Sequence, residues 1–397
     1  MRFMKGESRV VVKFGGASLS SGSKVRKAAK MVIDSGYKEI VVVVSAMGDT
    51  TDRLIRIIKE IGEVSSKDYA DIISMGERTS VRIFSAALKS LGVDSIYLDP
   101  KCREWPVITD SNYMYAKPDL EETRKRVKKY VEPLLGKVIP VICGFLGVDA
   151  NGNITTLGRG GSDTTALLIA NCLGADEVIL VKDTEGVMSA DPRIVPDAKP
   201  LPRLDIQELF ALARGGAKIV KAEALMYKLP NQKLRIVSFS NGLTSRGTEI
   251  IGVFNPSAPE VKFKRGLLAV SLVCEMNPSD IGKIFAAFED RQIYGISTGR
   301  YSLTLFTSSE NVTALMRKLH DLRISKALSC KENVGMLEIT HPSFIDSPGW
   351  VAKISSALAS KGINIIEITT SKATINIFID EPYLEEAIEA VRGTLEA

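Results

Sequence analysis

Apolar runs without polar alternation recur along the first part of the chain, with helical patterns between them. Residues 9–14 (RVVVKF), 39–45 (EIVVVVS), 137–144 (KVIPVICG), 177–182 (EVILVK) and 234–239 (LRIVSF) are such runs. A strand that is apolar on both faces is buried on both faces, as in parallel sheets flanked by helices. Residues 23–35, 52–62, 72–91 and 163–173 space their apolar side chains at helical intervals, and 95–98 reads as a shorter strand. The alternation predicts an α/β domain built on an open, mostly parallel sheet covered by helices, closed by the strand at 234–239. Pro256 and Pro259 mark a linker after it.

Beyond the linker the rhythm changes. Residues 267–273 form a strand, 280–290 a helix, 293–298 and 302–307 strands, 312–322 a helix and 324–328 a strand. That order, βαββαβ, is the ferredoxin-like α+β unit. It starts again with strand 336–340, helix 349–360, strands 363–370 and 374–380, and helix 384–395, where the chain stops one strand short. The segment 261–264 (VKFK) can supply the missing edge strand, which would insert the first unit into the second. The expected boundaries are 1–258 for the α/β domain, 259–330 for the first small unit and 331–397 for the second.

Composition narrows the class. Hydrophobic residues at 45% and charged residues at 25% of 397 are globular values. The longest apolar stretch, 40–47, is far shorter than a membrane span, and the first nine residues lack the apolar core of a secretion signal. Lys and Arg number 52 against 47 Asp and Glu, and the resulting +5 is spread along the chain. No basic stripe suggests nucleic acid. The five cysteines contain no C-x-x-C pair, which fits reduced thiols in a cytoplasm. The only histidines are His320 and His341, so a histidine-based triad or zinc site has almost no material. The chemistry must run on lysines, arginines, carboxylates, hydroxyls and backbone amides.

Three loops carry such groups, the first and third of them directly after predicted strands. Lys13-Phe14-Gly15-Gly16-Ala17-Ser18 brings a lysine and bare backbone amides to a strand end, a setting suited to phosphate. A Gly-Gly turn also serves simply as a loop. In Leu157-Gly158-Arg159-Gly160-Gly161-Ser162-Asp163-Thr164-Thr165, the arginine set among glycines presents its fork to a carboxylate, while Asp163 also suits a helix N-cap. Lys182-Asp183-Thr184-Glu185-Gly186-Val187-Met188 with Asp191-Pro192-Arg193 lies after a buried strand, where an acid can hold a ribose or amine and Arg193 a phosphate. Walker A, protein-kinase and G-x-G-x-x-G signatures are missing.

Taken together, KFGGAS at 13–18, SAMGDTTD at 45–52, GERTS at 76–80, LGRGGSDTTA at 157–166, DPR at 191–193 and GAKIV at 216–220 resemble the aspartate kinases. The two C-terminal units resemble that family's paired ACT regulatory domains. The resemblance implies an amino-acid-kinase fold that transfers the γ-phosphoryl of ATP, carried with Mg2+, to the side-chain carboxylate of L-aspartate. The product would be 4-phospho-L-aspartate, the first step toward lysine, threonine and methionine. It also implies site roles. Lys13, Asp163 and Lys218 would be catalytic, with Asp163 orienting the two lysines. Thr51, Glu77, Arg159 and Ser162 would bind aspartate, Glu77 on the ammonium and Arg159 on a carboxylate. Lys13, Gly15, Gly16, Ser18, Lys182, Asp183, Met188, Arg193 and Lys218 would hold the nucleotide. Asn277, Asp280, Ile281, Ser347, Pro348 and Gly349 lie in the loops where ACT units bind an amino-acid effector such as lysine or threonine. Assembly as a homodimer, or a dimer of dimers, is implied as well. Ala17, Lys182 and Met188 depart from the family's usual threonine, threonine and tyrosine, with consequences for nucleotide affinity. Two other readings are an enzyme of the same fold acting on glutamate, acetylglutamate or uridylate, and an amino-acid-binding regulatory subunit.

Overall fold

The computed structural model describes residues 8–158, 160–214, 217, 219–253, 260–275, 277–341, 344, 349–371 and 374–396. The linker prolines Pro256 and Pro259 lie outside them. The chain divides into two compact units, Met1–Phe254 and Asn255–Ala397.

In the first unit, β1 (Arg9–Phe14), β2 (Glu39–Val44), β3 (Ser95–Leu98), β4 (Ile139–Cys143), β7 (Glu177–Lys182) and β9 (Lys233–Ser238) run parallel. Two strands that the apolar pattern does not reveal extend this sheet, β8 (Arg203–Asp205) and β10 (Thr248–Ile251), in the order β3-β4-β2-β1-β7-β9-β10-β8. The strand at 233–238 therefore does not close the series. Both additions are short, with their apolar and polar residues mixed, and β10 pairs antiparallel with β9. A separate hairpin, β5 (Leu146–Val148) and β6 (Ile154–Thr156), follows β4.

Helices cover the sheet for identifiable reasons. The hydroxyl of Ser21 accepts the Lys24 amide at 3.3 Å and starts α1 (Gly22–Asp34), whose Val25, Ala28, Ala29 and Val32 form one buried stripe. Ser65 caps α3 (Ser66–Ser90) in the same way through the Asp68 amide at 3.1 Å. Between them in sequence, α2 (Thr50–Ile61) buries only Ile58. The short α4 (Leu120–Arg126) precedes β4. By contrast α5 (Gly161–Leu173) is buried on nearly every side, which its unbroken run of small and apolar residues allows. The last helix of this unit, α6 (Ile206–Arg214), follows β8. The chain leaves β1 toward β2 on one side and returns beside it as β7 on the other, so the sheet has its topological switch point at the carboxyl end of β1.

The second unit is a six-stranded antiparallel sheet: β11 (Glu260–Val273), β12 (Ile293–Thr298), β13 (Ser302–Ser308), β14 (Ala327–Thr340), β15 (Ile365–Ser371) and β16 (Thr374–Asp380), in the order β12-β13-β11-β14-β16-β15. Val261–Lys264 pairs with Met336–Ile339, at the edge where the second small unit lacks a strand, while Leu267–Val273 pairs with the first half of β14. The expected separate strands at 324–328 and 336–340 are one strand. The polar run Ser329–Asn333 between them reads as a loop, but Ser329–Lys331 pairs with β11, and the strand passes through a bulge at Glu332 and Asn333, where Asn333 is left-handed at φ 57.

Alternate residues of these strands face different partners. Leu268, Val270 and Leu272 pack on α7 (Pro278–Ala286) and α8 (Val312–Asp321), and Leu337 and Ile339 on α9 (Trp350–Ser360) and α10 (Leu384–Glu396). The opposite parity gives a third cluster of Leu267, Ala269, Phe306, Val334, Met336 and Phe378, in which the rings of Phe306 and Phe378 stack at 3.7 Å. A chain ending at Lys331 would lose the partner of residues 261–264 and three members of that cluster at once. We expect it to aggregate or change its oligomeric state and to lose activity, although every proposed catalytic residue remains. Light scattering and assay of the shortened enzyme check this, and an unchanged assembly with full activity would contradict it.

Candidate active site

The loops after β1, β2, β4 and β7 meet at the switch point. Lys13 is the penultimate residue of β1 and points its ammonium into the protein, 6% exposed. Its Nζ lies 2.8 Å from Oδ1 of Asp163 in the first turn of α5. The other oxygen, Oδ2, accepts from Nζ of Lys182, the last residue of β7, at 3.3 Å. Asp163 does not cap its helix, because that position belongs to Gly160, whose backbone is left-handed at φ 75. The carboxylate instead joins the ends of two neighbouring strands. Burial alone would raise its pKa, but Lys13 and Lys182 hold it down to about 2. Burial pulls the Lys182 ammonium the other way, below its usual range, against the opposing pull of Asp163. Two ammonium groups thus share one carboxylate and leave a buried positive charge at the strand ends.

After Phe14 the backbone turns through Gly15 and Gly16 into a short 3-10 turn containing the buried Ser18, whose amide donates to the Gly15 carbonyl at 3.1 Å. Gly16 is required sterically: a Cβ there would sit 2.8 Å from the Ala46 carbonyl oxygen. Gly76 on α3 is required likewise, since its Cβ would lie 2.8 Å from the Ala46 methyl. That close approach brings the next residue, Glu77, under the β2–α2 loop.

Glu77 is 4% exposed. Its Oε1 accepts the Ala46 amide at 3.1 Å, and its Oε2 has no hydrogen-bond partner among the described residues. Burial pushes its pKa up to about 7, only partly offset by the Ala46 amide and Lys13. A buried, half-partnered carboxylate facing a cavity fits a cationic ligand group. The cavity is about 480 Å³, and Lys13, Thr51, Glu77 and Ser162 all line it, with Gly158, Gly160 and Gly161. With Gly16, which lines it too, the structure therefore gathers five of the residues singled out by sequence around one space. Arg159 and Lys218 lie outside the described residues.

Lys182, Asp183, Met188 and Arg193 do not line this cavity. Asp183 is exposed at the start of the loop after β7, and Met188 bridges Pro200 farther along it. Arg193 is exposed and paired through two nitrogens with Asp191, at 3.0 and 2.7 Å. In the second unit, Asn277 caps α7 through its carbonyl, which accepts the amides of Asp280 and Ile281, and Asp280 pairs with Lys283 at 3.6 Å. Gly349 is the N-cap of α9, while Ser347 and Pro348 lie outside the described residues.

Sequence reasoning missed several cavity residues: Lys59 on α2, Tyr69 on α3, Tyr115, Phe145 and Thr156. None stands in a glycine-rich motif, and only the fold brings them together. Phe145, just past Gly144 at the end of β4, is held left-handed at φ 68, with its amide donating to Thr165 Oγ1 at 3.0 Å. Such a conformation is uncommon for a bulky residue and persists only where the surroundings enforce it.

Glu77 also sets a test on the empty enzyme. Its folded pKa lies above its ordinary value of 4.5, so the folded state binds the proton more tightly between 4.5 and about 7. Stability must fall as pH rises through that window and level off above it. Glu77→Gln should therefore raise the unfolding midpoint at pH 8, by the equivalent of about 3 kcal/mol, and make little difference at pH 4.5. Saturating aspartate should reverse the order at pH 8. Thermal unfolding at the two pH values reads all of this.

Residues 8–238 match the amino acid kinase family and residues 329–393 the ACT domain. The chain belongs to the amino acid kinase family, as a lysine-lined switch point on a parallel sheet would suggest. Within it, the chain belongs with the aspartokinases: it is 30% identical to the Pseudomonas aeruginosa aspartokinase over 408 residues, covering 98% of this chain and 97% of that one. Among solved structures, aspartate kinase from Synechocystis aligns with a TM-score of 0.73 at 24% identity, over 98% of this chain and 70% of that one. E. coli aspartokinase III in complex with aspartate and ADP aligns at 0.57 and 21% identity, over 98% and 100%. At those identities the two structures speak for the fold alone. Among the described residues no helix is long and apolar enough to cross a membrane.

Proposed function

We propose that this protein is an ATP-dependent aspartate kinase, forming 4-phospho-L-aspartate and opening the route to lysine, threonine and methionine. The observation that carries the acceptor assignment is Glu77, half-partnered and buried, which lines one cavity with Lys13, the partner of Asp163. In this reading Glu77 receives the substrate ammonium, Thr51 and Ser162 donate to its carboxylates, and Arg159 pairs with one of them. The side-chain carboxylate then faces Lys13. It is already ionised at neutral pH, so no general base is needed, consistent with the scarcity of histidine. What the protein must do is bring two anions together and offset their repulsion. Lys13 and Lys218 supply charge, Asp163 fixes the direction of Lys13, and Gly15, Gly16 and Ser18 present amides and a hydroxyl to the phosphates. Asp183, Met188 and Arg193 extend along the nucleotide. Arg193 would leave Asp191 to do so.

Among the described residues no three His, Cys, Asp or Glu side chains converge as a metal site. We infer that Mg2+ is held chiefly by the nucleotide phosphates. Residues 1–258 would be catalytic, and 259–330 and 331–397 regulatory, sensing lysine or threonine at the loops before α7 and α9. The outer strands β12 and β15 are each hydrogen-bonded to a neighbour on one side only, which supports a homodimer. Five free thiols suit a cytoplasmic enzyme. Incubation with ATP, Mg2+ and aspartate, trapping the acyl phosphate with hydroxylamine, tests the function. Product with glutamate, acetylglutamate or UMP, and none with aspartate, would overturn it.

A further inference from the structure

The acceptor cavity extends from the switch point to its β2 side. Besides Lys13 and Gly16, its walls come from the β2–α2 loop, α2, α3, Met114 and Tyr115, the segment after β4, β6 and the loop into α5 with its first turn, with nothing from β7 or β9. Strands β2 and β4 stand on one side of β1, and β7 and β9 on the other. Lys13 lines the cavity and Lys182 does not, although both hold the same carboxylate. Lys182 stands one residue beyond Val181, which pairs with Phe14, so it flanks the Gly15–Gly16 turn from the side away from the acceptor. Its carbonyl accepts the Phe239 amide at 2.7 Å, which fixes the strand end against β9. Side-chain exposure is 20%, against 7% for Lys13, so more of this side chain than of Lys13 is open to solvent.

We propose that Lys182 is a catalytic residue on the leaving-group side of the transfer, bound to the β-phosphate of the nucleotide. This rests on the reading of the site as a phosphoryl-transfer centre and adds a division of labour to it. The bond between the γ-phosphorus and the β–γ bridging oxygen breaks as one forms from the acceptor carboxylate oxygen to that phosphorus. The electron pair stays on the bridging oxygen, and ADP departs without taking a proton. In a loose transition state negative charge gathers on that oxygen before the new bond is well formed. A cation on the β7 side, tethered by Asp163 to the cation on the β1 side, meets that charge while Lys13 meets the transferred group. The sheet order therefore places acceptor, phosphoryl group and leaving group over β2, β1 and β7 in turn.

Calorimetric titration of the full-length enzyme with ADP and with AMP, in the same magnesium buffer, tests this. Lys182→Met should weaken ADP by about tenfold or more, the usual scale of one charge-assisted hydrogen bond, while AMP affinity stays within about twofold. Catalysis should fall with it, with the KM for aspartate little changed, and Lys182→Arg should restore most of the ADP affinity. Lys182→Gln, which keeps a donor on Asp163, carries the same expectation if the methionine variant does not fold. Equal weakening of ADP and AMP, or unchanged ADP affinity, would overturn the assignment. So would a loss confined to a non-hydrolysable ATP analogue, which would place Lys182 on the γ-phosphoryl group instead. A wild-type enzyme that binds neither ADP nor AMP would count against the kinase reading itself.

Discussion

Replacing Lys13 by alanine should lower kcat by about 10²–10³-fold, the usual scale for losing one preorganised charge partner of the reacting group, while the KM for aspartate changes little. The expectation follows from position. The ammonium is buried at the centre of the switch point, is held 2.8 Å from Asp163 and borders the acceptor cavity. A group so placed acts chiefly on charge that grows during transfer, so its removal shows in kcat and kcat/KM together. Losing Lys13 also leaves Asp163 with Lys182 as its remaining ionic partner among the described residues. Thermal unfolding of the mutant must therefore accompany the kinetics. A folded Lys13→Ala enzyme with unchanged kcat would remove Lys13 from the mechanism.

Glu77→Ala should act on the other substrate. An ammonium buried without its acid costs about 2–5 kcal/mol, equivalent to roughly 30- to several thousand-fold in kcat/KM for aspartate. The KM for ATP should stay within a few fold, because Glu77 lies on the acceptor side of Lys13. With the carboxyl of the free enzyme pushed up to about 7, kcat/KM for aspartate should fall about tenfold per pH unit below that value. Glu77→Gln should flatten that limb. Arg159→Ala should resemble Glu77→Ala in sparing ATP. Steady-state kinetics from pH 5.5 to 8.5 separate these outcomes, and equal loss for both substrates would indicate a collapsed site.

Much of this was written in the order of residues. The apolar runs at 9–14, 39–45 and 177–182 determined the central parallel strands, because a segment apolar on both faces can persist only inside a sheet covered twice. The loops behind them determined the candidate chemistry, since lysine, paired glycines and an arginine among glycines suit few ligands besides anions. The resemblance carried by those loops extended to Thr51, Glu77 and Ser162, which the fold does bring to one cavity. What the chain order could not reveal is pairing at a distance. The short strands β8 and β10 exist because a neighbouring strand satisfies their backbone, and Ser329–Lys331 stays extended for the same reason. Only the tertiary structure gave Asp163 two lysines, one far before it in the chain and one after it: Lys13 on β1 and Lys182 on β7 are adjacent because those strands are neighbours. Only the tertiary structure, too, buried Glu77 with one oxygen unpartnered, since burial is a property of the surroundings and a lone acid in a helical pattern reads as solvent-facing.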